Sequence, residues 1–312
     1  MLRIVKPGLQ TSLQGAPRIG HRAFGIPAAG PADPVSMALA NRLVGNASAA
    51  ISLEITYGGF AAIFECETSF AITGAVGAIT LQGAPVELHQ TLYANSGDRI
   101  EISPPVYGAR AYLAVPSGFV AQTHFGSAST YLPAQLGGHE GRALQADDVL
   151  TSPGGDPHVS LLQTPDAIRP VFTHAFGLRA CVSAETRLLT DDARDALFSE
   201  TFTAGRQATR MGIEFTGHKL EIQEDGLMKS APVFPGTIQC PQSGHPIALS
   251  CDAQTTGGYP RIAHVAECDR HLLGQIRPGN SIVLLHRSPR EAVEEGLKKR
   301  ALLQDWLLTR TP

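Results

Sequence analysis

No run of Lys or Arg in this chain is longer than Lys298-Lys299-Arg300, and the net charge is −3. A duplex-DNA binder normally carries a basic stripe, so nucleic acid is not expected as a partner. No apolar stretch approaches the roughly 18 residues that a membrane span needs, so a membrane is not expected either. The segment Met1-Leu2-Arg3-Ile4-Val5-Lys6-Pro7 lacks a signal peptide's apolar block and cleavage site. Export is therefore not predicted, and the expected compartment is cytoplasmic. The five cysteines (Cys66, Cys181, Cys240, Cys251, Cys268) are an odd number and include no C-x-x-C pair. Reduced, mostly buried thiols are the economical reading.

Catalytic signatures are missing as well. The 11 histidines form no H-x-x-x-H or H-E-x-x-H, so no metal site is predicted. There is no G-x-x-x-x-G-K-[ST] P-loop, and neither Ser127 nor Ser129 sits in a G-x-S-x-G elbow. Met228-Lys229 looks like the Met-Lys pair that carries biotin, but Gly226-Leu227 and Ser230-Ala231-Pro232 do not complete an attachment motif. Covalent biotin is not expected on this chain.

Aromatics are only 6%, so the core must rest mainly on Val, Ile, Leu and Ala. What the chain has in quantity is glycine (32) and proline (22), the punctuation of many short strands joined by tight turns. Arg99-Ile100-Glu101-Ile102-Ser103 alternates polar and apolar, as a half-buried strand does. Phe70 to Thr73, Ala111 to Val115 and Ser281 to Leu285 are short apolar runs with strand boundaries, and His158 to Gln163 reads as one more strand. Three helices interrupt this pattern. Asp33 caps the first, Pro34 opens it, and Gly45 suits its left-handed stop. A second covers Asp191 to Phe198, with acids in its first turn. The third opens on the capping box Ser288-Pro289-Arg290-Glu291 and continues as an amphipathic tail through Trp306.

The Pro/Gly/Asp-rich stretch from Ser152 to Pro157 marks a crossing point between domains. The expected division is 1–155, 156–287 and a helical tail over 288–312. The predicted fold class is mainly β, two all-β halves with a few peripheral helices.

Three clusters carry polar chemistry. Asp252 to Pro260 places Gln254, Thr256 and Tyr259 around Gly257-Gly258, several neutral donors and acceptors beside a backbone a ligand can approach. Tyr259-Pro260 is also a candidate cis peptide. The alternative is a polar turn without a ligand. Thr130 and Tyr131 precede a glycine loop ending at Arg142, whose planar fork can hold a carboxylate; equally, Arg142 can pair with a neighbouring acid. Asn41 and Glu54 form the third cluster. Glu54 lies in the apolar run Leu53-Glu54-Ile55, where it either turns inward and needs a partner or faces water.

These segments resemble the carboxyltransferase-domain family that includes the C-type (KipA-like) subunits of 5-oxoprolinase, allophanate hydrolase subunit 2 and part of urea carboxylase. The resemblance runs from Val5 to about Leu285. Its landmarks include Leu39-Ala40-Asn41-Arg42-Leu43, Leu53-Glu54-Ile55-Thr56, Ser129-Thr130-Tyr131, Arg210-Met211-Gly212, Pro235-Gly236-Thr237-Ile238-Gln239 and Gln254-Thr255-Thr256-Gly257-Gly258-Tyr259-Pro260. It implies two related cyclophilin-like β-barrel domains and a site drawn from the three clusters. Glu54, Arg142, Gln254 and Tyr259 would be catalytic; Asn41, Thr130, Tyr131, Gln239, Thr256, Gly257 and Gly258 would bind substrate. It also implies ATP used through a complex with a B-type (KipI-like) partner and an A-type partner, and a small amide substrate such as 5-oxoproline. A regulator that counters a KipI-like kinase inhibitor, and a urea- or allophanate-directed carboxyltransferase, are the alternatives. Thr209 and Ala253 depart from the family pattern, standing where an acid and a base are usual. They imply a lost salt bridge or a different substrate.

Overall fold

The computed structural model describes residues 1–223 and 228–308. Gly226 and Leu227, beside Met228-Lys229, lie outside the described residues. Mainly β is the correct class, and the chain forms two compact units. Unit 1 takes residues 1–18, 29–172 and 303–308; unit 2 takes 19–28 and the rest of the described residues from 173 to 302. These bounds fall elsewhere than at 155 and 287. Ser69 N donates to Pro157 O at 2.7 Å and Thr91 N to Leu162 O at 2.9 Å, which keeps the stretch beyond residue 155 with unit 1.

In unit 1 the first strands are β1 (Leu2–Pro7), β2 (Gln10–Gln14), β3 (Ser52–Thr56), β4 (Phe60–Phe64) and β5 (Thr68–Gly74). They are followed by β6 (Ile79–Leu81), β7 (Ala84–Pro85), β8 (Thr91–Ala94), β9 (Arg99–Ile102), β10 (Arg110–Ala114) and β11 (Val149–Leu150). They form two antiparallel sheets, ordered β11-β1-β4-β9-β6-β7 and β2-β3-β10-β5-β8, rather than a closed barrel. Side chains alternate across a strand, and β10 uses both faces. Ala111 and Leu113 join Ile4, Phe60, Phe64 and Phe70 in the main core, while Tyr112 and Ala114 meet α1 (Pro34–Leu43) on the opposite face. That double burial explains why the run reads as continuously apolar. Asp33 caps α1 by accepting from Val35 N and Ser36 N, and Gly45 takes φ 75° just beyond it.

Unit 2 is a closed seven-stranded barrel. Its strands are β12 (Ala175–Val182), β13 (Thr201–Ala208), β14 (Gly212–Thr216), β16 (Thr237–Gln239), β17 (Ile247–Leu249), β19 (Arg261–Val265) and β20 (Ser281–His286). The order is β12-β19-β16-β17-β14-β13-β20, with β12 and β20 parallel where the ring closes. Two short strands, β15 (Ala231–Pro232) and β18 (Thr256–Gly257), make a separate ladder. Phe202 and Phe215, 5.9 Å apart at their centroids, help fill the barrel core. Helices α2 (Asp191–Ser199) and α3 (Pro289–Leu307) match the second and third expected helices to within a residue or two, α3 opening on the Ser288/Glu291 capping box.

The strand expected over His158–Gln163 does not form. Val159 N and Leu162 N donate to the hydroxyls of Ser69 and Thr91 instead of to backbone carbonyls, which leaves a single bridge between Gln163 and Gln90. No cis peptide occurs among the described residues, so Tyr259–Pro260 is trans. The thiols are less uniformly buried than expected: Cys240 and Cys268 are buried, Cys181 and Cys251 half-buried, and Cys66 exposed.

Candidate functional site

A cleft of ≈ 1000 Å³ opens on the outer face of the barrel of unit 2. Its floor follows from strand register. Glu214 on β14 lies opposite Ile247 on β17, and Ile247 lies opposite Gln239 on β16, so the three point from one face in a row. Their neighbours Ile213, Phe215 and Ala248 point inward to the core, as the two-residue period of a strand requires. At one end β13 bulges: Ala204 pairs with Phe215 but Ala208 with Ile213, so Gly205, Arg206 and Gln207 swing out along the cleft wall. At the other end the loop after β17 supplies Gln254 and Tyr259.

That loop is held at its base. Arg210 grips Asp252 with two hydrogen bonds of 2.7 and 2.8 Å, both side chains buried. Backbone bonds from Asp252 N to Arg210 O and from Ser250 N to Met211 O align the two segments. Gln239 is buried and connects the loop to the floor: its Nε2 donates to Tyr259 O at 3.1 Å, and its Oε1 accepts from Gln254 Nε2 at 3.3 Å. Gly257 makes room for this. A Cβ there would stand 2.7 Å from Gln239 Nε2, so the residue is a glycine for space. Gln254 and Tyr259 are exposed in the cleft mouth, where their unshared polar atoms can meet a ligand. Such a cluster of neutral amides offers donors and acceptors side by side, suited to an uncharged amide.

The departures at 209 and 253 find their places here. Thr209 lines the cleft and its hydroxyl accepts from Met211 N at 3.1 Å, whereas Ala253 is buried against Val233 and Leu249. The adjacent Arg210–Asp252 pair supplies the tie between these segments. Burial pushes the neighbouring Cys240 thiol up to about 12, so it is no nucleophile at neutral pH. His264 is half-buried, and its partial burial lowers its pKa.

Of the eleven residues singled out in the sequence, the structure brings Gln239, Gln254 and Tyr259 together in this cleft, with Thr256, Gly257 and Gly258 on the same loop. Met228 N donates to Gly258 O on that loop, while Lys229 is exposed. The other five lie in unit 1, each with its own partners. Glu54 turns inward, accepting from Ala32 N at 2.8 Å and Tyr112 Oη at 2.7 Å, with Arg110 at 3.4 Å. Burial, then Glu54 and Asp33, push the Tyr112 phenol well above its usual range, so it stays a donor to Glu54. Asn41 is fully buried: its amide donates to Ser48 O and Ala50 O, and its oxygen accepts from Asn46 and Ser52. Thr130 donates to Leu13 O, and half-buried Tyr131 bridges Leu136 through its backbone. Arg142 is held in a fork by Asp148 at 2.7 and 2.8 Å and also meets Glu140. Sequence reasoning missed Arg206 and Glu214. The alternation of polar Glu214 and Thr216 with apolar Ile213 and Phe215 was the available signal.

The chain belongs to the carboxyltransferase domain family, subdomains A and B, whose pattern it matches over residues 24–285. It is 35% identical to the C subunit of 5-oxoprolinase from Escherichia coli over 96% of this chain and 94% of that protein. It is 33% identical to the protein of the same name from Haemophilus influenzae, over 94% of each chain. The fold is also similar to that of K. lactis urea amidolyase, with a TM-score of 0.92 at 25% identity over the whole of this chain. This chain spans only 20% of that much longer protein.

Proposed function

We propose that this chain is the C-type component of an ATP-dependent 5-oxoprolinase, and that the cleft of unit 2 takes the lactam. The observation that carries this reading is the Gln239–Gln254–Tyr259 cluster, neutral polar groups set for an uncharged amide, in a chain that aligns over 96% and 94% of its length with two proteins named for that activity. The overall reaction consumes 5-oxoproline, ATP and two waters and yields glutamate, ADP and phosphate. A water oxygen bonds to the ring carbonyl carbon, the carbon–nitrogen bond breaks, and the nitrogen takes up a proton. The second side-chain N–H of Gln254 holds the carbonyl oxygen as its charge grows, while buried Gln239 accepts from the first and keeps Gln254 in place. Preorganised donors of this kind are commonly worth about 3 kcal/mol each.

A triphosphate calls for a nest of backbone N–H groups or several cations. Among the described residues Arg206 is the one cation lining the cleft, and Glu214 stands near it, so these residues do not fit ATP. We assign the nucleotide to a partner of the B type (KipI-like) or the A type, in the cytoplasm, with this chain inactive alone. Of the described helices none is long and apolar enough to cross a membrane. The fold likeness to urea amidolyase supports a second reading, carboxyl transfer to urea. That reading requires biotin on another chain. Co-expression with the neighbouring subunits, followed by ATP-dependent assays on 5-oxoproline, urea and unsubstituted lactams, separates the two. Glutamate release from 5-oxoproline supports the first; turnover of urea alone overturns it.

A further inference from the structure

Two charged side chains in the cleft are tied to no other described side chain. Arg206 is exposed on the bulge of β13, and Glu214 is half-buried on β14 beside it. Neither forms a hydrogen bond or ion pair with another described residue, with each other included. That contrasts with the other buried or half-buried charges of unit 2, where Arg179 pairs with Asp269, Arg210 with Asp252 and Arg261 with Glu185. The site around Glu214 is also cleared. A Cβ on Gly205 would stand 3.0 Å from Glu214 Oε2 and 3.3 Å from its Cβ, so a side chain at the bulge would press on the Glu214 side chain, whereas glycine leaves it room.

Register gives the distances. Glu214 and Gln239 are separated by one intervening strand, and β13 lies one strand further out. At about 4.8 Å per strand, the backbone of the bulge is roughly 14 Å from that of Gln239. Long side chains reaching in from both ends reduce that span to the size of a small molecule. The cleft therefore presents an amide cluster at one end and an adjacent cation and anion at the other.

We propose that Arg206 and Glu214 are a recognition pair for a carbon bearing both a carboxylate and a nitrogen. The carboxylate lies on Arg206, and the N–H or ammonium on Glu214. The ligand class is an α-amino acid or its cyclic N-acyl form, with its distal carbonyl at Gln254. This rests on the 5-oxoprolinase reading and deepens it, because ring opening leaves nitrogen and carboxylate on one carbon and carries the carbonyl away. Arg142, engaged by Asp148, is not needed for the task. The Arg206 fork suits a carboxylate, for which Lys is an incomplete replacement.

Calorimetry on the full chain, alone and in its complex, tests the pair with four probes: 5-oxoproline, 2-pyrrolidinone lacking the carboxylate, glutamate, and glutarate lacking the amine. The wild type is expected to bind 5-oxoproline and glutamate at least about tenfold more tightly than their truncated counterparts, as charge-assisted bonds imply. Arg206→Ala abolishes the preference for 5-oxoproline over 2-pyrrolidinone, and Arg206→Lys restores part of it. Glu214→Gln abolishes the preference for glutamate over glutarate. Both side chains are on the cleft surface, so unchanged melting temperatures accompany these effects. Preferences that survive the substitutions, or no binding of any probe, overturn the pair. If the preferences behave as stated but the complex releases no glutamate from 5-oxoproline, the pair stands and the 5-oxoprolinase reading falls. If Arg206→Ala releases glutamate with unaltered KM, the pair falls and the 5-oxoprolinase reading stands.

Discussion

Arg210 and Asp252 face each other as a buried bidentate pair, 2.7 and 2.8 Å apart, and their side chains are 6% and 4% exposed. They join the turn entering β14 to the loop that carries Gln254 and Tyr259. A buried ion pair is weak evidence of net stabilisation, but removing one partner strands the other charge without water. Arg210→Ala is therefore expected to cost about 3–5 kcal/mol. Urea denaturation of the variant, followed through unit 2, measures this; a loss under about 1 kcal/mol would mean that water reaches the pair.

Gly257 provides a test specific to the cleft. Its φ is not positive, so space alone opposes alanine there, the Cβ meeting Gln239 Nε2 at 2.7 Å. Gly257→Ala should displace the Gln239 amide and loosen its bond to Tyr259 O. Overpacking of this kind costs about 1–3 kcal/mol, and ligand affinity should fall by more than the stability loss explains. Melting temperature and calorimetric affinity, measured on the same sample, separate the two effects.

Two groups of unit 1 contribute to the chain's response to acid. Burial, then the charge of Arg169, holds the His89 imidazole down at about 4, with Asp33 opposing. An unfolded histidine titrates near about 6.5, so between about pH 6.5 and 4 the unfolded chain binds the extra proton and stability falls as pH drops. His89 has φ 61°, a conformation asparagine tolerates, so His89→Asn should flatten this part of the profile. Hydrogen bonds from Arg142 hold Asp148 at about 2. Its stabilisation is present above the unfolded value of about 4 and is lost as pH falls toward about 2. Asp148→Asn should flatten that lower window and leave the upper one unchanged. Denaturation midpoints across the acid and neutral range check both. Some upper slope should persist in His89→Asn, because His264 is also lowered by burial.

The thiols make a simpler prediction. Cys66 is exposed, whereas Cys240 is buried with its pKa at about 12. Maleimide at neutral pH should modify Cys66 first and reach Cys240 and Cys268 only after unfolding, as mass spectrometry of the labelled peptides will report. Native labelling of Cys240 would contradict the packing around it.

The local signals in the sequence were sufficient for the helices. Asp33-Pro34 and Ser288 to Glu291 are caps whose chemistry is complete within four residues, and each opens a helix where it was expected. The strands of β5, β9, β10 and β20 were legible from short apolar or alternating runs for the same reason. His158–Gln163 misled because β propensity does not reveal that Ser69 and Thr91 hydroxyls will take the backbone N–H groups. Glu54 was legible as a residue in need of partners, but those partners, Tyr112 and the Ala32 amide, are 58 and 22 residues away. Arg142 had two readings, and Asp148, six residues on, occupies its fork. The loop of Gln254 and Tyr259 was legible from composition. Arg206 and Glu214 were not, since only the bulge between Ala204 and Ala208 brings that stretch of β13 to the cleft.

The most direct test of the central claim is the rate of ATP-dependent glutamate release from 5-oxoproline by the reconstituted complex carrying Gln254→Ala. Gln254 is exposed in the cleft mouth and its loss should leave the fold intact. If the cleft takes the lactam, kcat falls by about 100-fold or more with complex assembly unchanged. Wild-type kcat and KM in that variant would contradict the assignment of the cleft.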